Sequence, residues 1–367
     1  MSTPFEQASA ETRPAFETVW EEAGYRIVLA LEEEPRPQLH PAIDIYQNQL
    51  VISAPLPVRI ITPEGDEIMA EEACYITSDR RILRFKDLSN NGVIIKYPPT
   101  WLDRWSLDGI RRFLNGWEVG RREIYNQILE GLIRYFEFYD DREYDLETLW
   151  TIHTYFRPIW ETSPYLAIRG APYVGKTKNL QFLAMLSFNG LLSLNISLAT
   201  VYRLTESLGA TLMFDEAESL SSVERRQEIR TILHGGYKKG MYVFRTGKTK
   251  NEQLVPERYD VFGAKAFVSY SGLEDILTQR SIPITMVRSS NPSILNSRLS
   301  VRDSYWQETR DMLYCFALCH WQEIYRIYER MREESIGIEG RDREVWEPIL
   351  VLADYFNADV EPYRRMR

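Results

Sequence analysis

Cysteine is scarce in this chain, with three among 367 residues: Cys74, Cys315 and Cys319. Three thiols cannot build a disulfide framework, which points to an intracellular, cytoplasmic setting. Histidine is almost as rare, with four copies. Cys315, Cys319 and His320 lie close together, but at helical spacing in an apolar stretch. A metal site usually needs four ligands, so they read as core residues. Long apolar runs are missing too. The longest, LQFLAMLSFNGLLSLNIS from Leu180, is broken by Asn189 and Gly190 and reads as a buried helix followed by a strand, not a membrane span. The opening MSTPFEQASAETRP lacks the basic start and apolar core of a secretory signal. Positive charge is in deficit: 44 Lys and Arg face 53 Asp and Glu, a net charge of −9. That excludes a protein that coats nucleic acid or an anionic membrane with its whole surface. Any nucleic-acid contact needs a local basic patch.

What is present is ordinary globular composition, 44% apolar and 26% charged, at a length that predicts several domains. Residues 1–20 read as a loose N-terminus, and 21–100 as a β-rich module. Within it DIYQNQLVIS, PVRIITPEGDEIM and ACYITSDRRILRF each place a turn between two alternating runs, predicting three hairpins. Residues 101–160 turn helical: Trp105, Ile110 and Phe113, then Ile124, Ile128, Leu132 and Phe136, recur at helix spacing. Their many aromatics read as packing rather than base stacking. Residues 161–290 alternate strand and helix, with strands expected at 165–169, 191–194, 211–214, 264–270 and 283–287. This is the pattern of a parallel sheet with crossover helices. Residues 291–367 read as a helical C-terminal domain.

The chemistry concentrates in the alternating segment. Gly170, Ala171, Pro172, Tyr173, Val174, Gly175, Lys176 and Thr177 spell GAPYVGKT, which fits the phosphate-binding pattern G-x-x-x-x-G-K-[ST]. An apolar strand, YLAIR, enters it, and a helical pattern beginning KTKNL leaves it. Glycines let the backbone curl so that its N–H groups face phosphates, and the following helix adds its positive end. Lys176 is expected to reach the β- and γ-phosphates of ATP and Thr177 to ligate Mg²⁺, with Lys178 completing the nucleotide-binding stretch. Further on, ATLMFDEAE ends an apolar strand in two carboxylates. Asp215 is expected to hold Mg²⁺ and Glu216 to orient or deprotonate the attacking water. No N-K-x-D motif for guanine occurs, so ATP is favoured over GTP.

One strand and one helix separate the two motifs. That arrangement resembles AAA+ ATPases and superfamily-three helicases, whose sheet order is 5-1-4-3-2. The blocks TLMFDEAE, IRTILHGGYKKGMYVFR, YDVFGAKAFVSYSGLEDILTQRSIPITM and GRDREVWEPILVLADYF, with PYLAIRGAPYVGKT and ISLATVYRL, resemble an ATPase family known as a domain of unknown function. That family accompanies primase and replication modules of phages, plasmids and integrated elements. The resemblance covers roughly residues 145–357. It implies an α/β P-loop core of AAA+ type and a homo-oligomer, expected to be a hexameric ring. Arg280 then stands where an arginine finger reaches the neighbour's γ-phosphate. Arg288 is a second candidate for phosphate contact. Sensor 1 would be Ser269 or Ser271, where such proteins usually carry Asn or Thr.

Between Tyr237 and Arg258 six basic residues face two acidic ones, in a chain that is otherwise acidic. Alternating runs flank a Gly-rich basic tip, which predicts a β-hairpin. A hairpin in this position of superfamily-three and related ATPases points into the ring's pore. The resemblance therefore implies that Lys238, Lys239, Lys248 and Lys250 grip the backbone of single-stranded or forked DNA. The expected function is an ATP-driven DNA translocase or helicase of a mobile element, with a primase as a possible partner. The alternative is a regulatory ATPase of the same core that remodels a protein.

Overall fold

The computed structural model describes residues 19–22, 25–28, 36–96, 104–193, 197–215, 232–248, 254–268, 275–358 and 360. Two compact units result, Met1–Pro37 and Gln38–Arg367. In the first, β1 (Val19–Glu22) pairs antiparallel with β2 (Tyr25–Val28).

The second unit opens with β3 (Gln38–Leu39), which pairs in parallel with β8 (Ile94–Ile95). Between them runs a four-stranded antiparallel meander: β4 (Ile43–Tyr46), β5 (Gln49–Ile61), β6 (Glu67–Thr77) and β7 (Ile82–Arg84). The three expected hairpins are these connections. Gln47 and Asn48 both take positive φ, 49° and 57°, the geometry of a tight two-residue turn. Gly65, in the PEGD turn, has φ +91°. The short α1 (Phe85–Asn90) was not anticipated; its Phe85 and Leu88 pack with Val51 and Tyr75.

Three helices follow: α2 (Leu107–Leu114), α3 (Arg121–Tyr135) and α4 (Arg142–His153). Ser106 caps α2, its Oγ accepting from Gly109 N at 2.9 Å. The aromatic residues here pack inward. Trp150 and Trp160 are fully buried, their indole N–H groups donating to the carbonyls of Pro164 and His153.

The α/β layer is a five-stranded, wholly parallel sheet. Its strands are β9 (Tyr165–Arg169), β10 (Leu191–Ser193), β11 (Leu212–Phe214), β14 (Lys265–Val268) and β15 (Ser281–Thr285), arranged β10-β11-β14-β9-β15. Numbered by appearance and read from β15, that is the order 5-1-4-3-2. The crossovers are α5 (Lys176–Leu186) after β9, α6 (Leu198–Leu208) after β10 and α7 (Asp275–Thr278) before β15. Beyond β15, Tyr139 N donates to Thr285 O and Val287 N to Glu137 O, so residues 137–139 flank the sheet. The chain ends in α8 (Pro292–Leu295), the 30-residue α9 (Ser304–Glu333) and α10 (Gly340–Phe356). One apolar core draws on the meander (Ile52), the helical segment (Phe113, Trp150), the parallel sheet (Ile168) and the last helices (Phe316, Trp346). Cys315 is buried in it, its sulfur 4.0 Å from that of Cys319. No helix among the described residues is long and apolar enough to cross a membrane.

Candidate nucleotide site

The GAPYVGKT segment forms the turn between β9 and α5, at the C-terminal edge of the sheet. Its backbone explains its glycines. Gly170 has φ +142°, and a Cβ there would lie 2.5 Å from the Met286 carbonyl oxygen. Gly175 has φ +95° and is the N-cap of α5. Between them Tyr173 takes φ +65° at the crest, with its side chain 99% exposed. The loop is thus a tight curl whose concave side leads to the start of a helix, a shape that favours anions.

Lys176 is the first residue of α5 and is buried. Its Nζ donates to the carbonyls of Gly170 (2.6 Å) and Ala171 (2.8 Å), lying back across the loop. Burial lowers its pKa, and the nearby Asp215 carboxylate opposes the shift. Asp215 follows β11, level with the end of β9 across the intervening β14. It is buried, and its Oδ1 has no hydrogen-bond partner among the described residues. Thr177 is exposed on the first turn of α5. The structure therefore brings Lys176, Thr177 and Asp215 to one edge. Glu216, Ser269 and Ser271 lie outside the described residues.

Lys178 departs from its expected role. Its Nζ donates to Ser297 Oγ (2.7 Å), Ser297 O (2.8 Å) and Tyr135 O (3.2 Å), tying α5 to its neighbours instead of lining the loop. The other end of α5 is held as firmly. Arg104 donates to the carbonyls of Ala184, Met185 and Ser187, and Arg310 to that of Met185. Two cations at a helix C-terminus offset its negative pole. Beneath α5, Glu147 is fully buried, its Oε1 accepting from Asn179 Nδ2 at 2.7 Å. Burial, reinforced by nearby Glu143, raises its pKa to about 8. Neither the arginine cap nor this carboxyl carries a sequence signal, because each depends on packing between distant segments.

Arg280 precedes β15, and its carbonyl accepts from Tyr165 N at the start of β9. It thus sits at the opposite edge of the sheet from the loop. Its guanidinium is turned inward, 5.0 Å from the Tyr237 ring centroid, and is buried. Arg288, by contrast, follows β15 at the loop's own edge and is exposed.

The basic segment is a hairpin of β12 (Tyr242–Lys248) and β13 (Leu254–Asp260), paired from Tyr242↔Asp260 to Lys248↔Leu254. Lys238 and Lys239 are not on it. Lys238 Nζ pairs with Glu344 Oε1 at 2.7 Å, and Lys239 Nζ donates to Pro158 O at 2.8 Å. Both lie in the turn below the hairpin and are engaged within the chain. Nucleic-acid contact by these two lysines would have to replace these bonds. Lys250 and the side chain of Lys248 lie outside the described residues. The hairpin's base is anchored by Lys96, which donates to Arg258 O and pairs with Glu206 on α6. Arg157 adds bonds to Asp260 Oδ2 (2.8 Å) and Phe262 O (3.2 Å). A cavity of about 490 Å³ lies beside this base, lined by these charged residues and by His40, Asp44 and Lys239. No family model matches the sequence, and no curated protein does.

Proposed function

We propose that this chain is a nucleotide hydrolase of AAA+ type that assembles into a ring, expected to be hexameric, and moves nucleic acid. The observation that carries the reading is the placement of a G-x-x-x-x-G-K-T turn on the first strand of a 5-1-4-3-2 parallel sheet, with Asp215 at the same edge. The residues fit ATP with a divalent cation. Gly170 and Gly175 give the curl, Lys176 supplies a buried cation, and Asp215 holds a buried carboxylate oxygen that lacks a partner among the described residues. Thr177 and Asp215 would hold Mg²⁺, which when bound offsets charge on the phosphates.

Lys176 exchanges its contacts with Gly170 and Ala171 for phosphate oxygens. Glu216, next to Asp215, orients the attacking water. Arg280 acts on the neighbour's nucleotide after its guanidinium leaves Tyr237. Its place at the far edge of the sheet fits action in trans rather than on its own site. The hairpin between β11 and β14 is the part that meets DNA, and a primase would be a natural replication partner for such a motor.

The deciding experiment is ATP hydrolysis with and without single-stranded DNA, over protein concentrations spanning assembly, with Glu216→Gln as control. Turnover that rises with both protein and DNA supports the reading. Absence of turnover in the wild type overturns it. A second reading, remodelling of a protein partner, is favoured by the outer half of β5 and β6. There Ile61 and Met69 are exposed on a two-stranded arm that β4 and β7 do not cover. Turnover that follows protein concentration but ignores DNA would select it.

A further inference from the structure

The hairpin has two unlike faces. Val243 and Tyr259 turn toward α6, where the Tyr202 and Tyr259 rings lie 4.3 Å apart and the Arg245 guanidinium sits 5.7 Å from the Tyr202 ring centroid. The alternate residues form the other face. Phe244 is 62% exposed, Leu254 70% and Tyr242 40%. Arg258 stands directly opposite Phe244 in the register, its guanidinium 4.3 Å from the Tyr242 ring centroid. Thr246 is the next position in the same alternation and Lys248 the one after it. Two aromatic rings and a leucine left open on a two-stranded ribbon carry a cost in water. Here they are interleaved with cations, in the most basic stretch of an acidic chain.

We infer that this face is a stacking platform for the bases of single-stranded nucleic acid. Phe244 is its central ring, and Tyr242 with Arg258 forms a second planar surface. The inference rests on the proposed nucleic-acid function and deepens it, naming an unpaired strand as the ligand and adding base contacts to the expected phosphate grip. An aromatic ring accepts any base because every base has a π-face, and cations beside it balance the backbone. A duplex hides its base faces, so it gains nothing from Phe244. Lys96 and Arg157 fix the base of the hairpin, so this face stands on a held support.

The test compares binding of fluorescent oligothymidine about 20 nucleotides long, an abasic strand of equal length and a duplex, across a salt series. Wild type is expected to bind the oligothymidine about tenfold tighter than the abasic strand. Phe244→Ala should remove that preference without changing the salt slope, because phosphate contacts persist, and Phe244→Trp should keep it. Lys250→Ala should instead lower the slope by about one. Equal binding of thymidine and abasic strands by wild type overturns the inference, as does a preference that survives Phe244→Ala. Loss of self-assembly in Phe244→Ala, without loss of base preference, overturns it by making the face a subunit contact. Wild-type ATP turnover, measured in the same preparation, reports separately on the hydrolase reading.

Discussion

Single residues in this protein carry consequences that can be measured directly. Gly170→Ala places a methyl group 2.5 Å from a carbonyl oxygen at a φ that side chains avoid. It should destabilise the fold by roughly 1–3 kcal/mol, read by denaturant unfolding, and weaken nucleotide binding. Two buried charges impose opposite pH slopes. Burial lowers the Lys265 ammonium from 10.5 to about 7, with Asp260 opposing and Arg157 adding to the shift. Its cage is the carbonyls of Val261 and Gly263, each at 3.0 Å. The unfolded chain binds this proton more tightly, so stability gained from deprotonation is complete above pH 10.5 and lost as pH falls to 7. Glu147 is the reverse. Its folded pKa is raised, so its contribution is fully present below pH 4.5 and lost as pH rises through about 8. Unfolding free energies between pH 5 and 10 should therefore lose up to about 1.4 kcal/mol per pH unit of slope in each variant. Glu147→Gln flattens the acid-side decline and Lys265→Met the alkaline-side rise.

Among the elements, α5 is held most deliberately. Its N-terminus meets the loop, Lys178 pins its first turn, and Arg104 with Arg310 holds its last carbonyls. Arg104→Met removes three charge-assisted bonds and should cost about 1–3 kcal/mol. A lowered thermal midpoint, together with faster amide exchange in α5, checks this. The hairpin depends on one cation in a similar way. Lys96→Met should speed amide exchange across β12 and β13 while leaving β9 protected, because Lys96 bonds the Arg258 carbonyl and pairs with Glu206.

At the scale of the whole molecule, the proposed catalytic groups do not share one edge of the sheet. Lys176 and Asp215 stand at the C-terminal edge, Arg280 at the other. A site completed by a second protomer has a distinctive signature. Lys176→Ala and Arg280→Ala should each be inactive alone, yet a mixture should recover partial turnover at interfaces that pair an intact loop with an intact arginine. No recovery on mixing, in variants shown to co-assemble, would place Arg280 outside the chemistry. It would leave its contact with Tyr237 as its role.

Much of this was legible in the residues themselves. YLAIR forms β9 at its expected bounds because a central parallel strand is a continuous apolar run ended by glycine. The meander's turns and the β12–β13 hairpin follow from alternation and turn chemistry, which are local properties. Other features lay beyond reach. The short β3–β8 pair joins segments far apart in the chain, and α1 is too brief to show a period. That Lys238 meets Glu344, Lys239 meets Pro158 and Arg280 turns under Tyr237 is decided by which distant segments the core brings together. A side chain's type and spacing tell what it can do. Whether it is free to do so depends on its neighbours in space, as the open face of Phe244 and the engaged lysines beneath it show. Local periodicity is written in consecutive residues, whereas burial and pairing are properties of the folded chain as a whole.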